Sequence, residues 1–252
     1  MHIDTFTSKF HFKPQFRGYV GIERECFLAH HDEIVPNAVS VLERLPKDGT
    51  YGYELSACQL EMRTRPCLVA ESQRVLYEVE RLADQATSSL GLNLRHVPVA
   101  PANMPLDTYP DPTGRYARIV MRLPPEVLRA ACRVAAVHIH IGVQDEHEAI
   151  KVYNRLVDHF DELKLLGNTS EGRRLELYRL MASVETPMKY ESWEGFYSAM
   201  EKRNCTEDPR QCWDMIRISI HGTVEVRVFD ATPDVTQIVG WIQNISDWAN
   251  LS

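Results

Sequence analysis

Four short segments of this chain alternate an aliphatic residue with an ionisable one, and that pattern restricts the fold more than any other feature. In "HGTVEVRVFD", residues 221–230, Val224, Val226 and Val228 fall on one side of a strand. Thr223, Glu225, Arg227 and Phe229 fall on the other, because strand side chains alternate with a period of two. In "YVGIERECFL", Val20, Ile22, Cys26 and Leu28 share a face, with Arg24 as the exception, and Glu23, Glu25 and Phe27 share the opposite one. In "CQLEMRT", Leu60 and Met62 alternate with Gln59, Glu61 and Arg63. In "AVHIHIGV", Val137, Ile139, Ile141 and Val143 alternate with His138, His140 and Gly142. Each strand has an apolar face to bury and a face of carboxylate, imidazole or guanidinium.

The aliphatic faces need a cover, and the sequence offers helices. Residues 69–90 place Val75, Leu76, Val79, Leu82, Ala83, Ala86 and Leu90 at helical spacing, with Gly91 as a stop. Residues 146–166 repeat the pattern with Ile150, Tyr153, Leu156, Val157, Phe160, Leu163 and Leu166. Shorter helices are expected around 124–134, 191–203 and 235–250. Pro98, Pro101, Pro105, Pro110 and Pro112 exclude regular helix from residues 97–116 and mark a surface crossing or an active-site loop. A chain of 252 residues with 44% hydrophobic content can bury one substantial core. The expectation is a single α+β domain over residues 1–252.

The polar faces admit two readings. Any one strand could belong to a half-solvated antiparallel sheet whose polar residues face water. Solvated faces usually carry Thr, Ser, Lys and Gln, whereas these carry four Glu, two His and two Arg. Side by side, the strands would gather those groups on one surface, where uncompensated carboxylates repel or stay protonated. A hard cation such as Mg²⁺ or Mn²⁺ removes that cost by taking carboxylate oxygens and an occasional imidazole. An adjacent arginine suits a phosphate or carboxylate of a ligand.

Composition excludes other classes. A formal net charge of −7 argues against nucleic acid as partner, since phosphate binding needs clustered Lys and Arg. No apolar run reaches membrane-spanning length, and "MHIDTFTSKF" lacks the features of a signal peptide. The six cysteines form no C-x-x-C pair, so a reduced cytoplasmic protein is expected. The run "HHDEI" at 30–34 reads as a solvated turn. The four tryptophans read as core, and Cys26 as a buried thiol.

"GIERECFL", "LEMRTRP", "VHIHIGV" and "GTVEVRVFD", in that order, resemble the signatures of the carboxylate–amine ligases related to glutamate–cysteine ligase, in the glutamine-synthetase-like superfamily. "GRYARI", "AIKVYNRL" and "WDMIRIS" fit between them, so the resemblance runs from about Gly18 to Trp248. It implies a curved, mainly antiparallel sheet with helices on one face and an open face binding ATP and Mg²⁺ (or Mn²⁺). The implied reaction activates a small carboxylate substrate as an acyl phosphate, which an amine substrate attacks. Glu23, Glu25, Glu61, Glu225 and His138 are then the implied metal ligands. Arg227 is implied at the transferring phosphoryl group, with Arg63 serving nucleotide or carboxylate and His140 orienting substrate. The family's Ser-rich stretch is compressed here to residues 166–180, where Arg179 stands for its arginine and Leu177 replaces its serine. Active sites completed between subunits in this superfamily make a homo-oligomer one expectation. A phosphotransferase or ATPase-like relative, or a non-catalytic metabolite-binding protein, are the alternatives.

Overall fold

The structure, a computed structural model, describes residues 1–251. The four alternating segments become the centre of one eight-stranded antiparallel sheet. Its strands are β1 (Val20–His30), β2 (Glu33–Ile34), β3 (Tyr51–Tyr53), β4 (Gln59–Arg63), β5 (Asn93–Arg95), β6 (Ala136–Gly142), β7 (Ile216–Ser219) and β8 (Thr223–Asp230). The order across the sheet is β3-β4-β1-β6-β8-β7, with β2 and β5 also pairing β1. The mixed helix–strand architecture with one polar sheet face is the one expected.

The helices are α1 (Ile3–Thr7), α2 (Ala38–Leu42), α3 (Ser72–Ser88), α4 (Arg115–Val120), α5 (Pro125–Arg133), α6 (Glu146–Asp158), α7 (Phe160–Gly167), α8 (Arg173–Tyr178), α9 (Trp193–Lys202) and α10 (Val235–Ala249). The aliphatic strand residues do what their alternation requires. Val20, Ile22, Val137, Ile139, Ile141, Val224 and Val226 join one core with Ile150, Leu156, Leu163, Ile238 and Ile242 from α6, α7 and α10. Cys26, Leu28, Leu60 and Met62 form a second cluster with α2 and α3. Each such side chain taken out of water contributes about 1.5–3 kcal/mol. Arg24, on this apolar side, is only 2% exposed and meets Glu80 of α3 at 3.1 Å.

Two expectations need correction. Residues 146–166 form two helices, not one: at His159 (φ −103°, ψ 20°) the backbone leaves the helical region, and α7 starts in a new direction. The turn brings Gly167 against Phe229, where an added Cβ would lie 2.6 Å from the ring. Phe229 itself is not on the polar face. Ile139 pairs with Val226 but Val137 pairs with Phe229, so β8 carries one extra residue between those pairs, a β-bulge. The bulge shifts the alternation by one, and Phe229 stacks on Trp241 in the core at 4.7 Å between centroids.

Candidate active site

Strand register sets the polar face as a grid. Across β4, β1 and β6, Arg63 lies opposite Glu23 and Glu23 opposite His138, while Glu25 lies opposite Glu61. One row further, Gly21 faces His140, His140 faces Glu225, and Glu225 faces Arg217 of β7. The ionisable residues of these pairs therefore share one surface, and Arg227 lines a cavity there, whereas Phe229 does not join them. At the sheet edge, Gly52 of β3 lies opposite Glu61. A Cβ there would meet the Arg63 guanidinium at 2.6 Å and Glu61 Oε2 at 2.8 Å, so the Glu61–Arg63 ion pair occupies the space a side chain would take.

The two histidines have different surroundings. His138 bridges Glu23 and Glu25, with Nδ1 3.2 Å from Glu23 Oε2 and Nε2 3.6 Å from Glu25 Oε1. His140 is anchored by Thr223 Oγ1 at 2.8 Å through Nδ1. Its Nε2 is buried without a hydrogen-bond partner, 3.5 Å from Glu23 Oε1 and 3.9 Å from Glu225 Oε2. Glu23, His140 and Glu225 each offer a donor atom, all within 4.8 Å of one another. Two carboxylates and one imidazole, one of them with an orphaned lone pair or proton, fit a divalent cation. The imidazole in this triad is His140, which the β6–β8 register sets opposite Glu225, while His138, the metal ligand that the resemblance implies, lies between Glu23 and Glu25.

The electrostatics separate the carboxylates into two kinds. Glu225 is fully buried between Arg217, whose Nε donates to it at 2.6 Å, and Arg227. Burial raises its pKa, but the two guanidinium groups outweigh burial and hold it below the usual carboxylate range. Burial likewise opposes the charge on Glu23, and His140 and His138 overcome it. In the other kind burial outweighs the nearby guanidinium groups, Arg227 for Glu25 and Arg63 for Glu61. Burial pushes Glu25 up to about 8, with Arg227 pulling down and Glu61 pushing up. Burial, then Glu25 and Glu23, push Glu54 to about 8. Glu61 is raised by burial and by Glu23 and Glu54. Burial and Arg227 lower His138 to about 4, whereas Glu225 and Glu23 outweigh burial and raise His140. Burial and mutual repulsion thus press several carboxyls of this face toward neutrality.

Two cavities meet at this grid. One, of about 360 Å³, is lined by Glu25, Glu54, Glu61, His138 and Arg227 and walled by Arg115, Tyr116, Tyr178, Met181 and Trp213. The other, of about 690 Å³, is lined by His11, Lys13, Phe16, Tyr19, Thr64 and His140. Glu23, Arg63 and His221 belong to both. Arg179 lines neither and is exposed; α8 turns Arg174 and Tyr178 inward instead, five residues and one residue before it.

Sequence reasoning missed Glu54, Arg174 and Arg217. Arg217 alternates with Ile216 and Ile218, the same signal that marked the other strands. Glu54 lies just past the three-residue β3, too short for alternation to be read, and Arg174 lies in a single short helix. Trp213, expected in the core, is half-buried and faces the cavity. Cys26 is buried as expected, its thiol pushed up by burial to about 12, whereas of "HHDEI" only His31 and Asp32 form a turn: His30 ends β1, and Glu33 and the buried Ile34 form β2.

Comparison with known proteins gives the grid a family. The chain is 28% identical over 249 residues to the glutamate–cysteine ligase of Halobacterium salinarum, an alignment covering 90% of this chain and 68% of that protein. It spans 62% to 68% of the length of the curated relatives matched over most of the chain. In fold it is similar to a bifunctional glutathione synthetase from Pasteurella multocida, with a TM-score of 0.60 and 14% identity over 98% of this chain and 42% of that one. Among the described residues, no helix is long and apolar enough to cross a membrane. The model of glutamate–cysteine ligase family 2 matches residues 19–160, which hold β1, β4 and β6 with Glu23, Glu25, Glu61, His138 and His140, and the chain belongs to that family.

Proposed function

We propose that this chain is an ATP-dependent carboxylate–amine ligase that works with Mg²⁺ or Mn²⁺ on small-molecule substrates. A carboxylate oxygen of the acid attacks the γ-phosphorus of ATP and ADP leaves. The amine nitrogen then attacks the acyl carbon, the bond to phosphate breaks, and an amide forms with release of inorganic phosphate and a proton.

The observation that carries this reading is the Glu23–His140–Glu225 triad, set beside a buried arginine on a face whose other carboxyls are forced up in pKa. Glu23, His140 and Glu225 would hold a cation, which when bound supplies neutralisation of phosphate charge. Arg227 keeps one Nη on Glu225, while its Nε is buried without an acceptor, a donor left over for a phosphoryl oxygen. Arg63, paired with Glu61 and 41% exposed at its side chain, stands where both cavities can reach it. Tyr116, Met181 and Trp213 limit water on the Arg227 side. An activated acyl group needs such shelter, because water competes with the amine. Six buried, free cysteines fit a reducing cytoplasm.

The test is calorimetry of ATP with and without Mg²⁺ on the wild type and on Glu23→Gln, followed by ADP release in a matrix of acids and amines. Mg²⁺-dependent binding that weakens at least tenfold in the variant, about 1.4 kcal/mol, and ADP release that requires an amine, are expected. Absence of Mg²⁺-dependent binding in the wild type overturns the reading. ADP release indifferent to any amine keeps the metal and nucleotide but rejects amide formation.

A further inference from the structure

We infer that Arg174 is a positioning residue: it clamps the β8 bulge that aims Arg227 into the cavity. The bulge lies between the Ile139–Val226 and Val137–Phe229 pairs, and the carbonyls of Arg227 and Val228 within it both accept from Nη2 of Arg174, at 3.0 and 2.6 Å. Arg174 is 1% exposed, and its Nε donates to Asp230 Oδ1 at 2.8 Å. The other Asp230 oxygen accepts the backbone N–H of Thr169 at 2.9 Å and of Ser170 at 2.8 Å. Ser170 Oγ in turn accepts from the N–H of Arg174 at 3.2 Å. The loop after α7, the start of α8 and the bulge are therefore closed into one hydrogen-bonded unit.

What this unit governs is the side on which residues 227 and 229 lie. In an unbulged β8, Phe229 would share the polar face with Glu225 and Arg227. With the extra residue in place, Phe229 turns back to stack on Trp241 while Arg227 stays on the cavity side, its backbone N–H donating to Met215 O at 2.8 Å. Bulges re-aim side chains in this way, and the carbonyls they contain need donors. The planar guanidinium reaches two carbonyls and a carboxylate at once, which an ammonium on a flexible stem cannot match. A purely structural role for the pair is the alternative. Buried ion pairs seldom stabilise more than apolar residues of the same volume, so stability alone does not account for a guanidinium whose donors go to the bulge that holds Arg227.

The functional half of this inference rests on the ligase reading; the clamp does not. Two measurements on Arg174→Lys, with Arg174→Met as the harsher variant, separate them. Hydrogen exchange of the unliganded protein is expected to quicken about tenfold or more at residues 226–230, with the slow amides of β1 and α6 unchanged. Unchanged exchange at the bulge, or a uniform rise through the whole sheet, overturns the clamp. In a double-mutant cycle, Arg174→Lys should weaken Mg·ATP about tenfold in the wild-type background and less than about twofold in Arg227→Gln. Equal losses in both backgrounds overturn action through Arg227. A wild type that binds no Mg·ATP refutes the ligase reading, and the exchange result then decides the clamp by itself.

Discussion

Strand β1 carries two charged clusters, built from neighbouring residues and pointing in opposite directions. Behind the sheet, Arg24 meets Glu80 at 3.1 Å, and Glu80 meets His96 Nε2 at 3.1 Å. In front, Glu23 and Glu25 meet His138 and His140. The residue types are the same: carboxylate, imidazole, guanidinium. The balance is not. Glu80 lies between two bases, and despite its desolvation His96 and Arg24 bring it down to about 2. In front five carboxyls, Glu23, Glu25, Glu54, Glu61 and Glu225, share the space with His138, which is itself pushed toward neutrality, and Glu25 and Glu54 are driven up to about 8. The rear cluster thus gives Glu80 a base on each side, although Arg24 Nε is buried without an acceptor, whereas the front one relieves repulsion by pressing two carboxyls toward their neutral form. Asp84 behind the sheet is also raised by burial and by Glu80, so what sets the front apart is how many carboxyls share one surface.

The difference can be broken first from behind. Arg24→Met leaves the half-buried Glu80 with His96 as its remaining partner and opens a gap where a buried guanidinium stood, and should destabilise the fold by about 3 kcal/mol, read by denaturant unfolding. Mg·ATP affinity at a temperature well below the transition should stay within twofold. A variant of normal stability that has lost nucleotide would place Arg24 in the site and erase the distinction.

A smaller effect is expected from pH. Glu25 and Glu54 keep protons up to about 8 in the folded protein, against about 4.3 in an unfolded chain, so the native state binds more protons between those limits. By linkage, stability falls as pH rises toward 8. His138, lowered to about 4, acts in the opposite direction, but only up to its ordinary value near 6.5. From pH 6.5 to 8 the unliganded protein should therefore lose on the order of 2 kcal/mol, roughly 5 °C in transition temperature. Saturating Mg²⁺ should flatten the slope. A transition temperature that rises across this interval without metal would show that the front carboxyls are already compensated.

The smallest effect sharpens the comparison. Glu54→Gln removes one repelling carboxyl and should raise stability at pH 7 by on the order of 1 kcal/mol while weakening Mg·ATP binding. The same change at Glu80 should destabilise and leave binding alone. Opposite signs in the two clusters are the outcome to look for in parallel melts and titrations.

Much of this was legible in the sequence because a strand reports its two faces through simple alternation. Glu23, Glu25, Glu61, His138, His140, Glu225 and Arg227 all reach the surface that the pattern assigned them. What alternation cannot report is which residues stand opposite each other. The choice between His138 and His140 as partner of Glu225 is a matter of register between β6 and β8, which lie far apart in sequence. Phe229 escaped for a related reason: an inserted residue shifts the alternation by one, and no residue in "VEVRVFD" marks the insertion. The donor that stabilises it, Arg174, lies in another segment. Arg24 could be seen only as an exception, since its partner Glu80 belongs to the outer part of a helix whose other face carried the visible pattern.

The central place of β1 also has a consequence for how the molecule is made. One flank of this strand pairs with β6, far along the chain, and the Glu23–His138 contact spans 115 residues. Contacts so distant form late, after the entropy of closing a long loop has been overcome. Until then, an eleven-residue strand must wait with an open edge, which is the kind of segment that pairs with the wrong neighbour. Its alternating Glu23, Arg24 and Glu25 place charge on both faces of that edge. That charge disfavours pairing of the open strand with a wrong neighbour until β6 is in place.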